Sequence, residues 1–220
     1  MKKNHSLLAF YFILLLLAGL AMSGCGTDDE NQAQNNELKT LLPNELGYVW
    51  IYEGFAEYFQ IMEIESIETQ GSGYKYRIRG SIADMSSGES DRDFRFTLEY
   101  VIQDGVLYQN KQEEVMMDSI FDTVEIVRYP LEKGQEWQQT QVDKDGVERT
   151  LTCTIDDVYT VVGRTTYLIS YQDNGSEYYE KRELQSGIGV VRVETLWVTD
   201  DGSFPLQYNL YRSLGPAENT

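Results

Sequence analysis

An all-β fold with at most a minor helix is predicted: a duplicated antiparallel meander forming a curved or open, barrel-like sheet. Three observations predict it. Apolar side chains alternate with polar ones over most of the chain, Asx-Gly dipeptides punctuate the alternating runs, and a Pro-Gly-Trp spacing occurs twice. Tyr74, Tyr76, Ile78 and Ile82 alternate with Lys75, Arg77, Arg79 and Ser81, a period of two that places one face on a core and the other in water. Phe94, Phe96, Leu98, Tyr100 and Ile102 repeat the pattern, and Leu206, Tyr208 and Leu210 do so near the C-terminus. Asp104-Gly105, Asp145-Gly146, Asn174-Gly175 and Asp201-Gly202 mark hairpin turns, because these residues tolerate the positive φ of short loops. About eleven strands joined by hairpins imply a meander without βαβ crossovers.

Pro43, Gly47 and Trp50 recur as Pro130, Gly134 and Trp137, all at an offset of 87 residues. Ile64/Ile67 corresponds to Ile155/Val158, and Gly105-Val-Leu107 to Gly189-Val-Val191, in the same order. The spacing predicts a duplicated unit, with residues 41–127 as the first repeat, 128–214 as the second and 215–220 as a tail, both repeats in one domain. At Ile64/Ile67 and at Ile155/Val158 the apolar spacing changes from two to three, which predicts a bulge or bend at equivalent places. Glu113 to Phe121 is the one helical pattern, with Met116, Met117, Ile120 and Phe121 on one face.

Residues 1–24 read as an export segment: Lys2 and Lys3, then Leu7 to Leu20 without a charge, then Ala21, Ser23 and Gly24. The apolar run from Leu7 to Met22 falls short of the roughly 20 residues that span a bilayer. Residues 26–37 contain neither an aromatic nor a β-branched apolar residue, so 25–40 is expected to be a flexible tether. Met22-Ser23-Gly24-Cys25 resembles the lipobox of bacterial lipoproteins. That resemblance implies cleavage before Cys25 and acylation of Cys25, which would anchor the chain on the outer side of a membrane. Tyr129-Pro-Leu-Glu-Lys-Gly-Gln-Glu-Trp137 resembles the motif that opens each half of a family of two-repeat, β-rich bacterial envelope lipoproteins. By strand count and anchoring alone, the chain is also similar to the half-barrel of lipoprotein carriers, which implies a concave sheet that holds acyl chains.

The inventory excludes several chemistries. The single histidine, His5, lies in the export segment, so the remainder has no imidazole for triad hydrolysis or for histidine-based zinc sites. Beyond Cys25 only Cys153 remains, sharing parity with Leu151 and Ile155, and it reads as a buried small hydrophobe. The 220 residues carry a formal charge of −18, and removing Lys2 and Lys3 with the export segment leaves 16 basic against 36 acidic residues, or −20. Such a surface repels phosphate backbones, so no nucleic-acid partner is expected. Asp143-Lys-Asp-Gly146 opens like a calcium loop but lacks its closing glutamate, and Asp156-Asp157 and Asp200-Asp201 read as solvated turn acids. No metal site, cofactor or catalytic residue is assigned.

Candidate ligand contacts are Trp50 and Trp137, at equivalent places in the two halves, and Tyr74, Tyr76 and Tyr100 in strand alternation, although all five suit a core equally. Lys75, Arg77 and Arg79 form the one basic face, which the neighbouring acids can neutralise. The expected function is that of an extracytoplasmic, membrane-anchored, non-enzymatic binding or interaction module. Its membrane partner is engaged through Cys25, and its other partner is an apolar ligand or an envelope protein. The alternative is a carboxylate-dependent hydrolase of envelope polysaccharide, whose two carboxyl groups would face each other across a cleft.

Overall fold

A computed structural model describes residues 27–54, 58–84, 94–112, 118–199 and 202–216. The export segment, Cys25, Met116, Met117 and the Asp200-Asp201 pair lie outside the described residues. Helix α1 (Thr27–Lys39) is followed by β1 (Val49–Glu53), β2 (Tyr58–Gln70), β3 (Gly73–Asp84), β4 (Arg95–Gln103), β5 (Val106–Lys111) and β6 (Thr123–Arg128). The second series is β7 (Glu136–Val142), β8 (Glu148–Val161), β9 (Arg164–Asp173), β10 (Tyr179–Gln185), β11 (Gly189–Thr199) and β12 (Gly202–Leu214). All twelve strands form one antiparallel sheet in the order β6-β5-β4-β3-β2-β1-β12-β11-β10-β9-β8-β7. Two six-strand meanders therefore run outward from the β1–β12 pair, one strand more than the eleven expected. The sheet curls until its outer strands β6 and β7 approach each other.

The alternation explains the strands. In β4 the burial pattern is strictly two-fold, with Phe96, Leu98, Tyr100 and Ile102 inside. On the outer face Lys75, Arg77 and Arg79 pair with Glu99, Glu65 and Glu63 at 2.8, 3.6 and 2.9 Å. The predicted bends are present as bulges. Register shifts between Ile64 and Ser66 against β3, and between Ile155 and Asp157 against β9. The extra residue is acidic and exposed in both cases, Glu65 and Asp156. Each bulge is braced by the chain entering the meander. Gly47 N–H donates to Ile64 O at 2.9 Å and Gly134 N–H to Ile155 O at 2.8 Å, both glycines at a positive φ of 75° and 85° that other residues rarely adopt.

The seam between β6 and β7 is closed mainly by side chains. The Gln139 amide donates to Glu125 O at 3.0 Å and accepts from Glu125 N–H at 2.8 Å, reproducing the two bonds of a neighbouring strand. Tyr171 donates its hydroxyl to Ile126 O, and a single bridge pairs Phe121 with Asp143.

Two expectations are corrected. Residues 118–121, read as part of a helix, form a turn and the Phe121 bridge, because Phe121 is drawn into the core at 1% exposure. The stretch read as a flexible tether is mostly helical. α1 begins with Asp28, Asp29 and Glu30 and ends with Lys39, charges that complement the helix dipole. It packs across one end of the barrel. Asn35, fully buried, donates to Ser72 O at 3.0 Å and accepts from Gly105 N–H at 2.9 Å, while Leu38, Leu41 and Leu42 enter the core. Within the helix the docking rests on a polar amide and a single leucine, Leu38, so composition gave little sign of it. No described helix is long and apolar enough to cross a membrane.

Candidate functional site

Antiparallel alternation puts the β5–β6, β7–β8, β9–β10 and β11–β12 connections at the end of the barrel opposite α1. There a cleft of about 270 Å³ opens between the β7–β8 and β9–β10 loops, residues 118–122 and the end of β11. Its apolar wall is Ile120, Leu196, Trp197 and Val198, and its polar side includes Lys144, Asp122, Asp145 and Glu177. Trp197 continues the inward parity of Val193 and Thr195 past the end of the core and is half-buried. Lys144 Nζ lies 5.3 Å from its ring centroid, within cation–π range.

The loops around this cleft are fixed by one arginine. Arg149 reaches Asp143 with Nε at 2.6 Å, and Asp173 and Ser176 with Nη1 at 2.9 and 3.1 Å. Asp143 Oδ1 also accepts from the backbone N–H of Asp145 at 3.0 Å and Val147 at 2.8 Å. Burial alone would raise the Asp143 carboxyl, but the hydrogen bonds from Arg149, Val147 and Asp145 hold it below the usual carboxylate range. The same balance, with donors Ser176, Gly175 and Arg149, lowers Asp173. The segment that opens like a calcium loop is thus a hairpin whose cation is a guanidinium.

Below the cleft the interior is filled by a buried ionic network. Arg182 donates to Glu180 at 3.0 Å and to Gln109 at 2.9 Å, and lies 3.7 Å from Asp118. Lys111 pairs with Asp118 at 3.3 Å, and Tyr178 donates to Glu180 at 2.6 Å. Burial raises the Asp118 carboxyl, but Lys111, Arg182 and Gln109 outweigh it, and the carboxyl ends below its ordinary range. The space among Arg182, Asp118, Tyr100 and Tyr208 is about 20 Å³, room for roughly one water. An acyl chain does not fit there, so the interior differs from the concave acyl site that the carrier resemblance implies.

The aromatic residues singled out from sequence are not brought together. Trp50 and Trp137 stand six strands apart, 1% and 6% exposed. Trp50 donates to Ile188 O at 2.6 Å, and Trp137 packs edge-on against Tyr171 at 6.4 Å. Tyr76 and Tyr100 are buried in the core, where desolvation pushes Tyr76 up to about 12. Tyr74 donates to Asn36 at 2.6 Å and carries Lys39 above its ring, serving α1. Cys153 is fully buried, and desolvation raises its thiol to about 12. Asp157 is paired with Lys133 at 2.9 Å.

Sequence reasoning missed Trp197, because it has no counterpart in the offset motifs, and it missed the ionic network. The available signal was parity: Tyr178, just before β10, shares its parity with Glu180, Arg182 and Leu184 within the strand, and the first and last of these are core residues.

No protein-family model and no curated protein matches the chain. Two crystal structures resemble it in fold. One is of a provisionally named lipoprotein from Parabacteroides distasonis ATCC 8503, 13% identical, covering 78% of this chain and 96% of that one with a TM-score of 0.45. The other is of a provisionally named exported protein with a YmcC-like fold from Bacteroides fragilis NCTC 9343, 11% identical, covering 79% and 98% with a TM-score of 0.48.

Proposed function

We propose that this chain is a lipid-anchored, extracytoplasmic binding module without enzymatic activity, and that its ligand occupies the cleft beside Trp197. The observation that carries the reading is the cleft itself, a preformed concavity of about 270 Å³ with an aromatic and aliphatic wall facing a polar edge. A ligand with one apolar face and one hydrogen-bonding edge suits it. The anchor rests on Met22-Ser23-Gly24-Cys25 and the apolar run before it. The absence of turnover is supported by the lack of histidine beyond His5 and by Asp143, which Arg149 holds ionised and therefore unsuited to donate a proton.

The test is native and intact mass spectrometry of the full protein extracted from its own membranes. The expected result is an acylated N-terminus at Cys25 and a co-purifying small molecule that is lost in Trp197→Ala while far-UV dichroism is unchanged. Hydrolysis of an envelope polysaccharide by the wild type, abolished by Asp122→Asn or Glu177→Gln, would overturn the non-enzymatic reading. Material retained equally by Trp197→Ala would place its site elsewhere.

A further inference from the structure

The end of the barrel that α1 covers carries the β2–β3, β4–β5, β8–β9 and β10–β11 turns. α1 is docked there along its length. Gln32 meets Tyr74, Asn35 meets Ser72 and Gly105, and beyond the helix Thr40 O accepts from Gly187 N–H at 2.8 Å. Gly187 follows Ser186, whose carbonyl accepts from Arg164 at 3.0 Å, so the β8–β9 turn stands beside the C-terminal end of α1. Cys25 lies two residues before α1, a reach of about 7 Å at full extension. An acyl chain on Cys25 therefore has little slack with which to hold this end away from a bilayer.

The β8–β9 turn is built from Val162 and Gly163, with φ of 49° and 77°. Both positive values define the tight hairpin turn that favours Asn or Asp before Gly, and a β-branched residue is strained there. The β4–β5 turn has the same pair of values, 52° and 71°, and uses Asp104-Gly105. Val162 makes no compensating contact inside the fold: it is 96% exposed, and Val161 beside it is 40% exposed. The β2–β3 turn at the same end is built from Gly71 and Ser72. One chain thus places an ordinary polar turn at the β2–β3 and β4–β5 hairpins and a strained, apolar one at β8–β9.

We infer that the Val161–Val162 tip is a membrane-docking element that enters the boundary between headgroups and acyl chains of the same bilayer that holds Cys25. This rests on the lipid-anchor reading above. Valine side chains favour that environment over water, and exposed Arg164 next to the tip supplies the cation that interfacial segments place at headgroup level. With a body of charge −20 the tip adds orientation, and the acyl chains supply the affinity. The barrel then stands on its helix-covered end, with the Trp197 cleft facing away from the membrane.

The test uses the full lipidated protein in phosphatidylethanolamine and phosphatidylglycerol vesicles. Val162→Cys and, as a control at the opposite end, Asp145→Cys are labelled with an environment-sensitive fluorophore, Cys153 being buried and Cys25 acylated. Spin-labelled lipid is expected to quench the probe at 162 at least two-fold and to leave the probe at 145 unchanged. Intact mass of the same sample reports the anchor. Without acylation the anchor reading falls and the tip with it, whereas acylated protein whose probe at 162 is not quenched overturns the tip alone. Val162→Asn is expected to raise the thermal midpoint by relieving the turn, and a lowered midpoint would show that Val162 serves the fold and would also overturn the proposal.

Discussion

Replacing Arg182 with methionine removes the only guanidinium of the interior network among the described residues and leaves two carboxylates behind. Glu180 is fully buried and keeps Ser119 and Tyr178 as donors, while Asp118, 3% exposed, keeps Lys111 and Gln109. Breaking a buried ion pair by removing one partner costs about 3–5 kcal/mol, because the remaining charge has lost its compensation. For a folded body of this size each kcal/mol lowers the thermal midpoint by roughly 2–4 °C, so Arg182→Met is expected to melt about 6–20 °C below wild type. Adding Glu180→Gln keeps an acceptor for Ser119 and Tyr178 but removes the orphaned charge, and should recover much of the loss.

The pH dependence identifies the cause. Arg182 helps to hold the Asp118 carboxyl below its ordinary range, so the stability this pairing contributes is present above the unfolded carboxylate value and is lost as pH falls, and the deficit of the single variant shrinks toward acid. The assay is thermal and urea denaturation followed by circular dichroism between pH 4.5 and 8. A deficit no larger than that of a surface substitution, about 0.5 kcal/mol, would refute the reasoning. So would a double variant less stable than the single one.

Three further outcomes are expected. Asn35→Ala strands Ser72 O and Gly105 N, costs about 1–3 kcal/mol, and accelerates hydrogen exchange in residues 27–39 ahead of the sheet; uniform acceleration would contradict the docking described for α1. The Cys153 thiol, raised to about 12, should remain unreacted toward maleimide at pH 8 until the protein unfolds, and rapid labelling of native protein would show that it is accessible. Asp118, Asp143 and Asp173 are all lowered below their unfolded values, so the stability they contribute is complete above about pH 4 and is lost as pH falls through their depressed values. Arg149→Met should flatten that acid limb in urea midpoints taken from pH 2 to 7; an unchanged limb would remove Arg149 as its source.

The sheet was legible because a period of two is a direct readout of which side chains face inward. The bulges were legible too, since one extra residue at Glu65 or Asp156 shifts the apolar spacing visibly. Helix α1 was not, because Leu38, its single leucine, makes no periodic stripe, and the Asn35 hydrogen bonds to Ser72 and Gly105 leave no trace in local hydrophobicity. Residues 118–121 misled for the opposite reason, as the end of a helical pattern. That 3.6-residue pattern ends in Phe121, whose burial is set by partners distant in sequence, Tyr178 among them at 5.9 Å between ring centroids. The cleft was hidden because it joins three connections and the end of β11, and an acid such as Asp143 looks solvated until Arg149 is placed beside it.

The Gln139 clasp bears on how the protein comes apart and what it avoids. β6 and β7 meet through a few side-chain bonds where their other neighbours share full ladders, so unrolling of the cylinder should start along this line. Once parted, each would offer bare main-chain groups as a template for strands of other molecules. The Gln139 carboxamide therefore helps to guard the folded protein against polymerisation.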